Sequence, residues 1–208
     1  MLITFEGIEG CGKSTQAKLL HEFLEAQGYD AVLTREPGWG LLGEMIRTLI
    51  LDERKIELDP VSELCLFCAD RAQHVKDFIS PCLKEGKIVI CDRYFDSTVV
   101  YQGYGRKLDM RFVNKAAKAS TLGTIPELTF LLNLPVRKGL SRLRGREDIT
   151  KMDEEPLEFH ELIRQGYMVV ARREPERITK INADRDIKGI HGDIKSIVLS
   201  RLGQLIKK

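Results

Sequence analysis

Five short apolar runs alternate with longer stretches of mixed character along the chain. The runs cover residues 2–5, 31–34, 87–91, 128–134 and 177–182. Most are continuous apolar segments of four to seven residues, which is typical of strands that are buried on both faces of a sheet. We therefore predict five β-strands.

The stretches between these runs place apolar residues at helical spacing. They predict helices at residues 14–27, 61–84, 156–173 and 187–206. The second of these follows Pro60, an acceptable residue at a helix start, and the last carries a single apolar stripe suited to core packing. Alternation of strand and helix over the whole chain predicts an α/β fold, in which a parallel five-stranded sheet is covered by helices on both faces.

The length and composition favour one folded domain. The 208 residues exceed a typical domain of ~150 residues only modestly, so we expect residues 1–208 to form a single domain. Hydrophobic residues make up 43% of the chain, which suffices for a sizeable core and excludes wholesale disorder. Residues 142–155 are dense in charge and poor in large apolar residues, and they predict a charged lid or loop.

Charge and hydropathy limit the partners that the chain can have. Lys and Arg number 33 against 31 Asp and Glu, a net charge of +2. No nucleic acid polymer is expected as a partner, because bulk charge is small and any anion must be held by local Arg and Lys residues. No apolar run approaches the ~20 residues of a membrane helix, and residues 1–6 show neither the basic region nor the small-residue cleavage site of a signal peptide. We expect a cytoplasmic protein without membrane association.

The five cysteines agree with a reducing compartment, because their number is odd and their spacing shows no disulfide framework. Cys65 and Cys68 match the pattern C-x-x-C, but no second pair follows. We predict that both are buried apolar thiols, with a metal or redox site as the alternative.

The strongest local signal is a phosphate-binding loop at residues 7–14. Its sequence, Gly7-Ile8-Glu9-Gly10-Cys11-Gly12-Lys13-Ser14, matches G-x-x-x-x-G-K-[ST] throughout. It follows a predicted strand and opens a predicted helix, whose N-terminus adds partial positive charge for a bound phosphate. Lys13 can reach the β- and γ-phosphates, and the Ser14 hydroxyl can ligate Mg²⁺. With Thr15, these residues predict a site for a nucleoside triphosphate in a P-loop NTPase fold.

A second metal-site element is expected at Asp92, where a predicted strand ends in a carboxylate. In this position an Asp can hold Mg²⁺ directly or through water.

Features that the chain lacks exclude several classes of phosphate-loop protein. A guanine-specificity motif of the N-K-x-D type is not formed by Asn114-Lys115-Ala116-Ala117, which disfavours a GTPase. A motor or helicase needs a longer chain, so a phosphotransferase with a small acceptor remains.

Arg35 and Arg93 follow predicted strands, at the sheet edge where ligands bind in parallel α/β folds. Guanidinium groups there suit an acceptor that is itself a phosphate.

Several motifs together resemble the bacterial thymidylate kinase (dTMP kinase) family over nearly the full length. The segments are 5–10 (Phe-Glu-Gly-Ile-Glu-Gly), 35–38 (Arg-Glu-Pro-Gly), 66–71 (Leu-Phe-Cys-Ala-Asp-Arg), 92–94 (Asp-Arg-Tyr), 97–98 (Ser-Thr), 101–103 (Tyr-Gln-Gly) and 126–129 (Pro-Glu-Leu-Thr). The resemblance implies transfer of a phosphoryl group from ATP to dTMP with Mg²⁺, and a homodimer.

The resemblance also implies roles for individual residues. Glu9 would arrange the acceptor sugar and the metal, Phe67 would stack on thymine, and Arg71 would hydrogen-bond the base. Arg93 would bind the dTMP phosphate, and Tyr101 would lie near the sugar 2′ carbon and disfavour a ribonucleotide. The remaining acceptor-side residues would be Arg35, Glu36, Arg47, Ser97, Thr98 and Gln102.

Two departures from the family pattern stand out. Trp39-Gly40 follow Arg-Glu-Pro-Gly where the family usually has Gly-Thr, and Lys151 stands where the lid usually has an Arg. The phosphate loop carries no basic residue between Gly7 and Gly12, so a catalytic Arg is expected in the lid. The candidates are Arg142, Arg144 and Arg146.

Two alternatives stay open on the sequence. One is a kinase of another nucleoside monophosphate, of the cytidylate or adenylate type, which Phe67, Arg71 and Tyr101 disfavour. The other is a nucleotide-binding regulator that has lost catalytic activity. The sequence disfavours it because the residues expected to carry the chemistry are intact, namely Lys13, Ser14, Asp92 and Arg93.

Overall fold

A parallel five-stranded sheet forms the centre of the protein. The structure, a computed structural model, describes residues 1–52, 56–144 and 149–206, with side chains through residue 203. The strand order is β2-β3-β1-β4-β5. The strands are β1 (Leu2–Glu6), β2 (Ala31–Arg35), β3 (Ile88–Asp92), β4 (Leu128–Asn133) and β5 (Ile178–Asn182). The predicted α/β fold is confirmed, and each strand lies within one residue of its predicted bounds.

Helices connect the strands throughout the described part of the chain. They are α1 (Lys13–Ala26), α2 (Gly40–Arg47), α3 (Pro60–His74), α4 (Ser80–Lys84), α5 (Phe95–Thr98), α6 (Met110–Ser120), α7 (Val136–Leu143), α8 (Leu157–Arg173) and α9 (Ile187–Ile206). Wider π-helical turns continue α2, α3 and α5 over Thr48–Asp52, Val75–Ile79 and Val99–Gly105.

The helix predicted at residues 61–84 is present but not uniform. It runs as α3, the π-helical stretch Val75–Ile79 and α4. Pro81 accounts for the widened turn, since it has no N–H to donate to the preceding turn and its ring displaces a carbonyl there. No bounds were predicted for α2, α5, α6 or α7, and α7 contains the first two residues of the predicted lid.

The prediction that Cys65 and Cys68 are buried is wrong. Cys65 is exposed and Cys68 is half-buried, and both are free thiols. The reason is that α3 buries a polar face, which includes Glu63, Asp70 and Arg71, so apolar character does not mark the inner side of this helix.

The sheet register brings the functional segments together. Phe5 of β1 and Arg35 of β2 both pair with Asp92 of β3. The carboxyl ends of β1, β2 and β3 therefore meet at one edge of the sheet, where ligands bind in parallel α/β folds. None of the helices in the described residues combines the length and the apolar character needed to cross a bilayer.

Candidate active site

The phosphate loop is a tight backbone turn between β1 and α1. Gly7, Gly10 and Gly12 have φ angles of 141°, 67° and 97°, which L-residues with a side chain rarely adopt. A Cβ on Gly10 would lie 2.2 Å from the carbonyl oxygen of Gly139 in α7. Gly10 is therefore required both for the turn and for the close approach of α7 to the loop.

The ammonium group of Lys13 lies inside this loop. Its Nζ donates to the carbonyl oxygen of Ile8 at 2.8 Å, and the residue is buried. The side chain thus places a positive charge at the N-terminus of α1, where the helix already favours an anion.

Ser14 and Asp92 form a donor set that fits a hard divalent cation. The Ser14 hydroxyl donates to Oδ2 of Asp92. The other carboxylate oxygen, Oδ1, is buried without a hydrogen-bond partner among the described residues. Hydroxyl and carboxylate oxygens are ligands that Mg²⁺ accepts, so the two residues can hold this ion.

Arg93 is fixed in a strained backbone conformation directly after β3. Its φ of 69° lies in the left-handed region, which is uncommon for a residue with a long side chain and frequent at functional sites. Nη1 donates to the Gly7 carbonyl at 3.0 Å, to Ser97 Oγ at 3.2 Å and to Tyr167 Oη at 3.1 Å. Nη2 donates to Glu9 Oε1 at 3.1 Å. The guanidinium is therefore held against the phosphate loop.

Glu9 is an ionised carboxylate at the centre of the site. It accepts hydrogen bonds from Arg93 and from the hydroxyl of Tyr101, and its Oε2 lies 3.1 Å from His160 Nδ1. Burial alone would raise its pKa, but the hydrogen bond from His160 and the charges of Arg93 and Lys13 hold the pKa at about 2. Conversely, burial would lower the pKa of His160, but the bond to Glu9 and its charge raise it above 6.5. A protonated His160 and an ionised Glu9 stabilise each other.

One face of α3 carries residues that the family resemblance assigns to the acceptor. Phe67 and Arg71, four residues apart, lie on this face and line the same cavity. Arg71 is buried, and its Nε donates to Glu36 Oε2 at 2.8 Å. One Nη donates to Ser120 Oγ at 3.3 Å. Because a guanidinium carries five N–H donors, Arg71 can also donate to a ligand in the cavity.

Two further guanidinium groups line the cavity close to each other. Arg47 Nη1 donates to the Pro37 carbonyl at 3.0 Å, and Arg35 Nη2 lies 3.4 Å from Glu44 Oε1. Burial and the neighbouring charge of Arg35 lower the pKa of Arg47. An anion bound between them would relieve this repulsion.

The helical segment after Arg93 provides polar atoms toward the cavity. Thr98 Oγ1 and Gln102 Oε1 are buried without a hydrogen-bond partner among the described residues, and both residues line the cavity. Buried polar atoms of this kind usually have a partner, so a ligand is the natural one. Ser97 differs, because its hydroxyl donates to Glu6 Oε2 at 2.6 Å and accepts from Arg93.

A cavity of about 380 Å³ joins these groups. The predicted site residues that line it are Glu9, Gly10, Lys13, Ser14, Arg35, Glu36, Arg47, Phe67, Arg71, Asp92, Arg93, Ser97, Thr98, Tyr101 and Gln102. Gly7, Ile8, Cys11, Gly12 and Thr15 belong to the loop or to the start of α1 and are outside this lining.

The predicted lid contributes side chains to the same cavity. The apolar ones are Leu143, Ile149 and Met152, and the polar ones are Thr150 and Asp153. Arg142 is exposed, and its Nη1 donates to the Gly10 carbonyl at 3.2 Å. Arg144 directly follows α7, and Arg146 lies outside the described residues.

The two departures from the family pattern lie away from the cavity lining. Lys151 Nζ donates to the Ile56 carbonyl at 3.0 Å, so this side chain ties the lid to the segment before α3. Trp39 stacks on His74, with ring centroids 5.4 Å apart.

Sequence reasoning missed Glu6, His160 and Tyr167. Glu6 Oε1 accepts from the backbone N–H of Tyr94 at 2.9 Å, and Oε2 accepts from the hydroxyl of Tyr167 at 2.8 Å. A charged residue at the end of an apolar strand is the one signal that could have singled out Glu6. Nothing local in the sequence marks partners that lie 151 or 161 residues further along the chain.

The buried Glu6 predicts a specific pH dependence of stability. Burial and the negative charge of Asp96 raise its pKa to about 7, although Arg93 and the Ser97 hydroxyl act in the opposite direction. Because the native pKa is above the unfolded value of 4.5, stability falls as pH rises from 4.5 to 7. Relative to Glu6→Gln, the free energy of unfolding of the wild type should fall by up to about 3 kcal/mol over this range. Urea denaturation at pH 4.5 and pH 8 measures this difference.

The exchange Glu57→Gln at an exposed carboxylate is the matched control for Glu6→Gln. If Glu6→Gln and the wild type keep a constant stability difference from pH 4.5 to pH 8, the buried carboxyl does not titrate as argued.

Comparisons with known proteins agree with this geometry. A family model described as thymidylate kinase matches residues 5–194. The thymidylate kinase of Desulfovibrio desulfuricans is 50% identical over 192 residues, covering 89% of this chain and 88% of that protein. That of Trichlorobacter lovleyi is 43% identical over 208 residues, covering 97% and 98%. The crystal structure of thymidylate kinase from Ehrlichia chaffeensis superposes with a TM-score of 0.76 at 34% identity, covering 95% of this chain and 98% of that one. The chain belongs to the thymidylate kinase family.

Proposed function

We propose that the protein transfers the γ-phosphoryl group of ATP to dTMP, giving ADP and dTDP. The observation that carries this proposal is the shared cavity, whose lining includes Lys13 and Asp92 together with Phe67 and Arg71 of α3. A donor nucleotide on the phosphate loop and a base held on α3 would bring their phosphates together beside Arg93. Family membership supports the same reaction.

The reaction needs no general base from the protein. The phosphate of dTMP is largely a dianion at pH 7, since the second pKa of a phosphomonoester is ~6. One of its oxygens attacks the γ-phosphorus, and the bond to the β–γ bridging oxygen breaks with ADP as the leaving group. Lys13 would neutralise charge on the donor phosphates, and Arg93 would position the acceptor phosphate. Catalysis then rests on positioning and charge stabilisation.

We further propose that the reaction depends on Mg²⁺, held by Ser14 and by Asp92 directly or through water. The support is the buried Oδ1 of Asp92 without a partner among the described residues. The ion would supply positive charge to the donor phosphates. Glu9, ionised and bonded to Arg93, would hold the guanidinium beside this site.

A coupled ADP-release assay over a panel of nucleoside monophosphates tests the proposed reaction. We expect turnover with dTMP and much weaker turnover with CMP or AMP. Preference for CMP or AMP would indicate a kinase of another nucleotide. Nucleotide binding without turnover on any acceptor would indicate a regulator.

Among the described lid arginines, we propose Arg142 as the cation that acts in cis on the transferred group. Its contact with the Gly10 carbonyl places it next to the phosphate loop. Arg142→Ala should lower kcat about a hundredfold or more, as expected for loss of an arginine that stabilises transition-state charge. Arg144→Ala is the matched control in steady-state assays. A large loss in Arg144→Ala with a small one in Arg142→Ala would reverse the assignment, and small losses in both would shift the role to Arg146.

Tyr101 is proposed to select the deoxyribose. Its ring packs against Tyr167 and beneath the Arg93 guanidinium, and its hydroxyl donates to Glu9. A 2′-hydroxyl would collide with this fixed ring or lose its water, so the site would reject a ribonucleotide sterically. The ratio of kcat/KM for dTMP and its ribo-analogue should approach unity in Tyr101→Ala. It should survive largely in Tyr101→Phe, which keeps the ring.

The alternative is a purely structural role, in which Tyr101 only contributes to packing. An unchanged ratio in Tyr101→Ala, with lowered thermal stability, would establish that packing role and place sugar selection elsewhere.

We also propose that the chain acts as a homodimer. Large apolar side chains are exposed on the adjacent helices α2 and α3, with Leu41 82%, Met45 59% and Val61 41% accessible. Exposed apolar patches of this kind mark interaction sites. Size-exclusion chromatography with light scattering should give twice the chain mass, and Leu41→Glu with Met45→Glu should give the monomer. A wild-type monomer would refute the proposal.

We propose that the protein is located in the cytoplasm. The five cysteines are unpaired thiols, as is usual in a reducing compartment.

We propose that the chain forms one domain with a lid at residues 142–155. Side chains of this segment line the same cavity as the phosphate loop, which supports its role as a lid.

A further inference from the structure

Arg71, to which the proposed function assigns the contact with the base, is held by the carboxylate of Glu36, a residue outside its helix. Arg71 lies on α3, and Glu36 follows β2. Both are about 2% exposed, with Arg71 Nε 2.8 Å from Glu36 Oε2. Glu36 is itself anchored, because its backbone N–H donates to the Asp92 carbonyl at 3.0 Å. The orientation of the guanidinium therefore depends on how this carboxylate is held.

His74 holds the second oxygen of that carboxylate. It lies three residues after Arg71 on the same helix and is fully buried. Its Nδ1 is 3.0 Å from Glu36 Oε1, and its Nε2 is 2.9 Å from Thr34 Oγ1. Nδ1 must donate, since an ionised carboxylate only accepts. His74 does not line the cavity, so any effect on a ligand passes through Glu36 and Arg71.

The ring of His74 packs in a three-ring cluster with Trp39 and Phe78, whose own centroids lie 5.2 Å apart. The Trp39 indole stacks on it, with centroids 5.4 Å apart and planes inclined by 19°. The Phe78 ring lies 5.8 Å away at 15°. Such stacking fixes the plane of the imidazole, and with it the direction of the Nδ1–H bond. The indole at position 39, where the resembled family usually has glycine, thus acts behind the acceptor site rather than inside it.

A metal site is the competing interpretation of this cluster. Ligand atoms of Glu36, His74 and Cys91 lie within 4.8 Å of one another. However, both ring nitrogens of His74 and both oxygens of Glu36 already have protein partners. A cation here would have to break the His74–Glu36 hydrogen bond or the Arg71–Glu36 ion pair. The cluster is therefore a hydrogen-bond network.

We infer that His74 is a positioning residue for dTMP recognition: it orients Glu36, which in turn orients Arg71, and Trp39 holds its ring in place. The inference rests on the proposed function, because it assigns the base contact to Arg71.

Two substitutions of His74 separate this role from packing. His74→Asn places an amide N–H near the former Nδ1 and can still donate to Glu36, whereas His74→Gln reaches toward the former Nε2 and Thr34. His74→Gln should raise KM for dTMP about tenfold, with KM for ATP and kcat within about threefold. His74→Asn should restore KM for dTMP to within about threefold of the wild type. Thermal unfolding of both variants shows whether they are folded and equally destabilised.

Trp39 offers a test that leaves the hydrogen bonds in place. Trp39→Ala should raise KM for dTMP about threefold to tenfold, and Trp39→Phe, which keeps a stacking ring, should restore it. KM for ATP should not change in either variant. These variants also keep the inference testable if a His74 variant fails to fold.

The outcomes separate this inference from the proposed function. A wild-type enzyme without activity on dTMP overturns both. An active wild type in which His74→Asn and His74→Gln have the same KM for dTMP overturns the inference alone. Equal increases in KM for dTMP and ATP in Trp39→Ala also overturn it, because they indicate a general structural role. Tight Zn²⁺ binding by the wild type that is lost in His74→Gln would support the metal site instead.

Discussion

Replacing Lys13 by methionine is expected to lower kcat about a hundredfold to a thousandfold while the protein stays folded. The Lys13 ammonium lies inside the phosphate loop, 2.8 Å from the Ile8 carbonyl. In the proposed reaction it faces the charge that develops on the donor phosphates, and removal of one such group typically costs a factor of 10²–10³. Methionine is preferred to alanine because Lys13 is buried and its aliphatic stem fills space between the loop and α1.

Lys18→Met is the matched control for Lys13→Met. Lys18 lies on α1 with its side chain 71% exposed, near Glu22, so it carries the same charge away from the loop. Its turnover should equal that of the wild type in the coupled assay. Turnover of Lys13→Met within tenfold of the wild type, with a normal KM for ATP, would refute the assignment of residues 7–14 as the ATP site.

The three central strands β1, β3 and β4 were predictable because burial on both faces leaves a clear mark in the sequence. A run such as Ile88–Cys91 is apolar at every position, so the period of the pattern does not have to be resolved. Helix α9 was predictable for a related reason, since one stripe faces the core and the opposite side is polar.

Helices α2 and α7 were not predictable from the same rules. In α2 the apolar side chains of Leu41 and Met45 point to solvent, so the pattern does not show a core-facing side. In α7 the buried residues are Val136, Gly139 and Leu143, and the basic residues among them resemble a charged loop. Gly139 is needed for the close backbone approach to Glu9, since a Cβ there would lie 2.5 Å from the Glu9 carbonyl oxygen.

The candidate site was predictable where one local motif supplies the chemistry. Gly7 to Ser14 are contiguous, and their spacing follows from the geometry of phosphate binding. Contacts such as Glu9 with His160 depend on how α8 packs over the loop, which no local pattern encodes. The residues that line the cavity were therefore easier to predict than the residues that hold them in place.

Replacing Arg71 by alanine is expected to raise KM for dTMP ten- to a hundredfold and to leave KM for ATP nearly unchanged. Hydrogen bonds from a charged donor contribute about 1.5–3 kcal/mol each, which corresponds to that range. The same change strands Glu36 as a buried carboxylate that has lost its 2.8 Å partner. Breaking a buried ion pair in this way typically costs about 3–5 kcal/mol of stability, so recognition and stability must be measured separately.

The double variant Arg71→Ala with Glu36→Gln separates the two effects. Removing this charge should recover part of the lost stability, because an amide is less costly to bury than a carboxylate that has lost its arginine partner. KM for dTMP should stay high, since the donors that face the cavity are still absent. Recovery of KM together with stability would mean that Arg71 supports the fold and that thymine is recognised elsewhere. An increase in KM for ATP instead would mean that the donor and acceptor ends of the cavity are assigned the wrong way round.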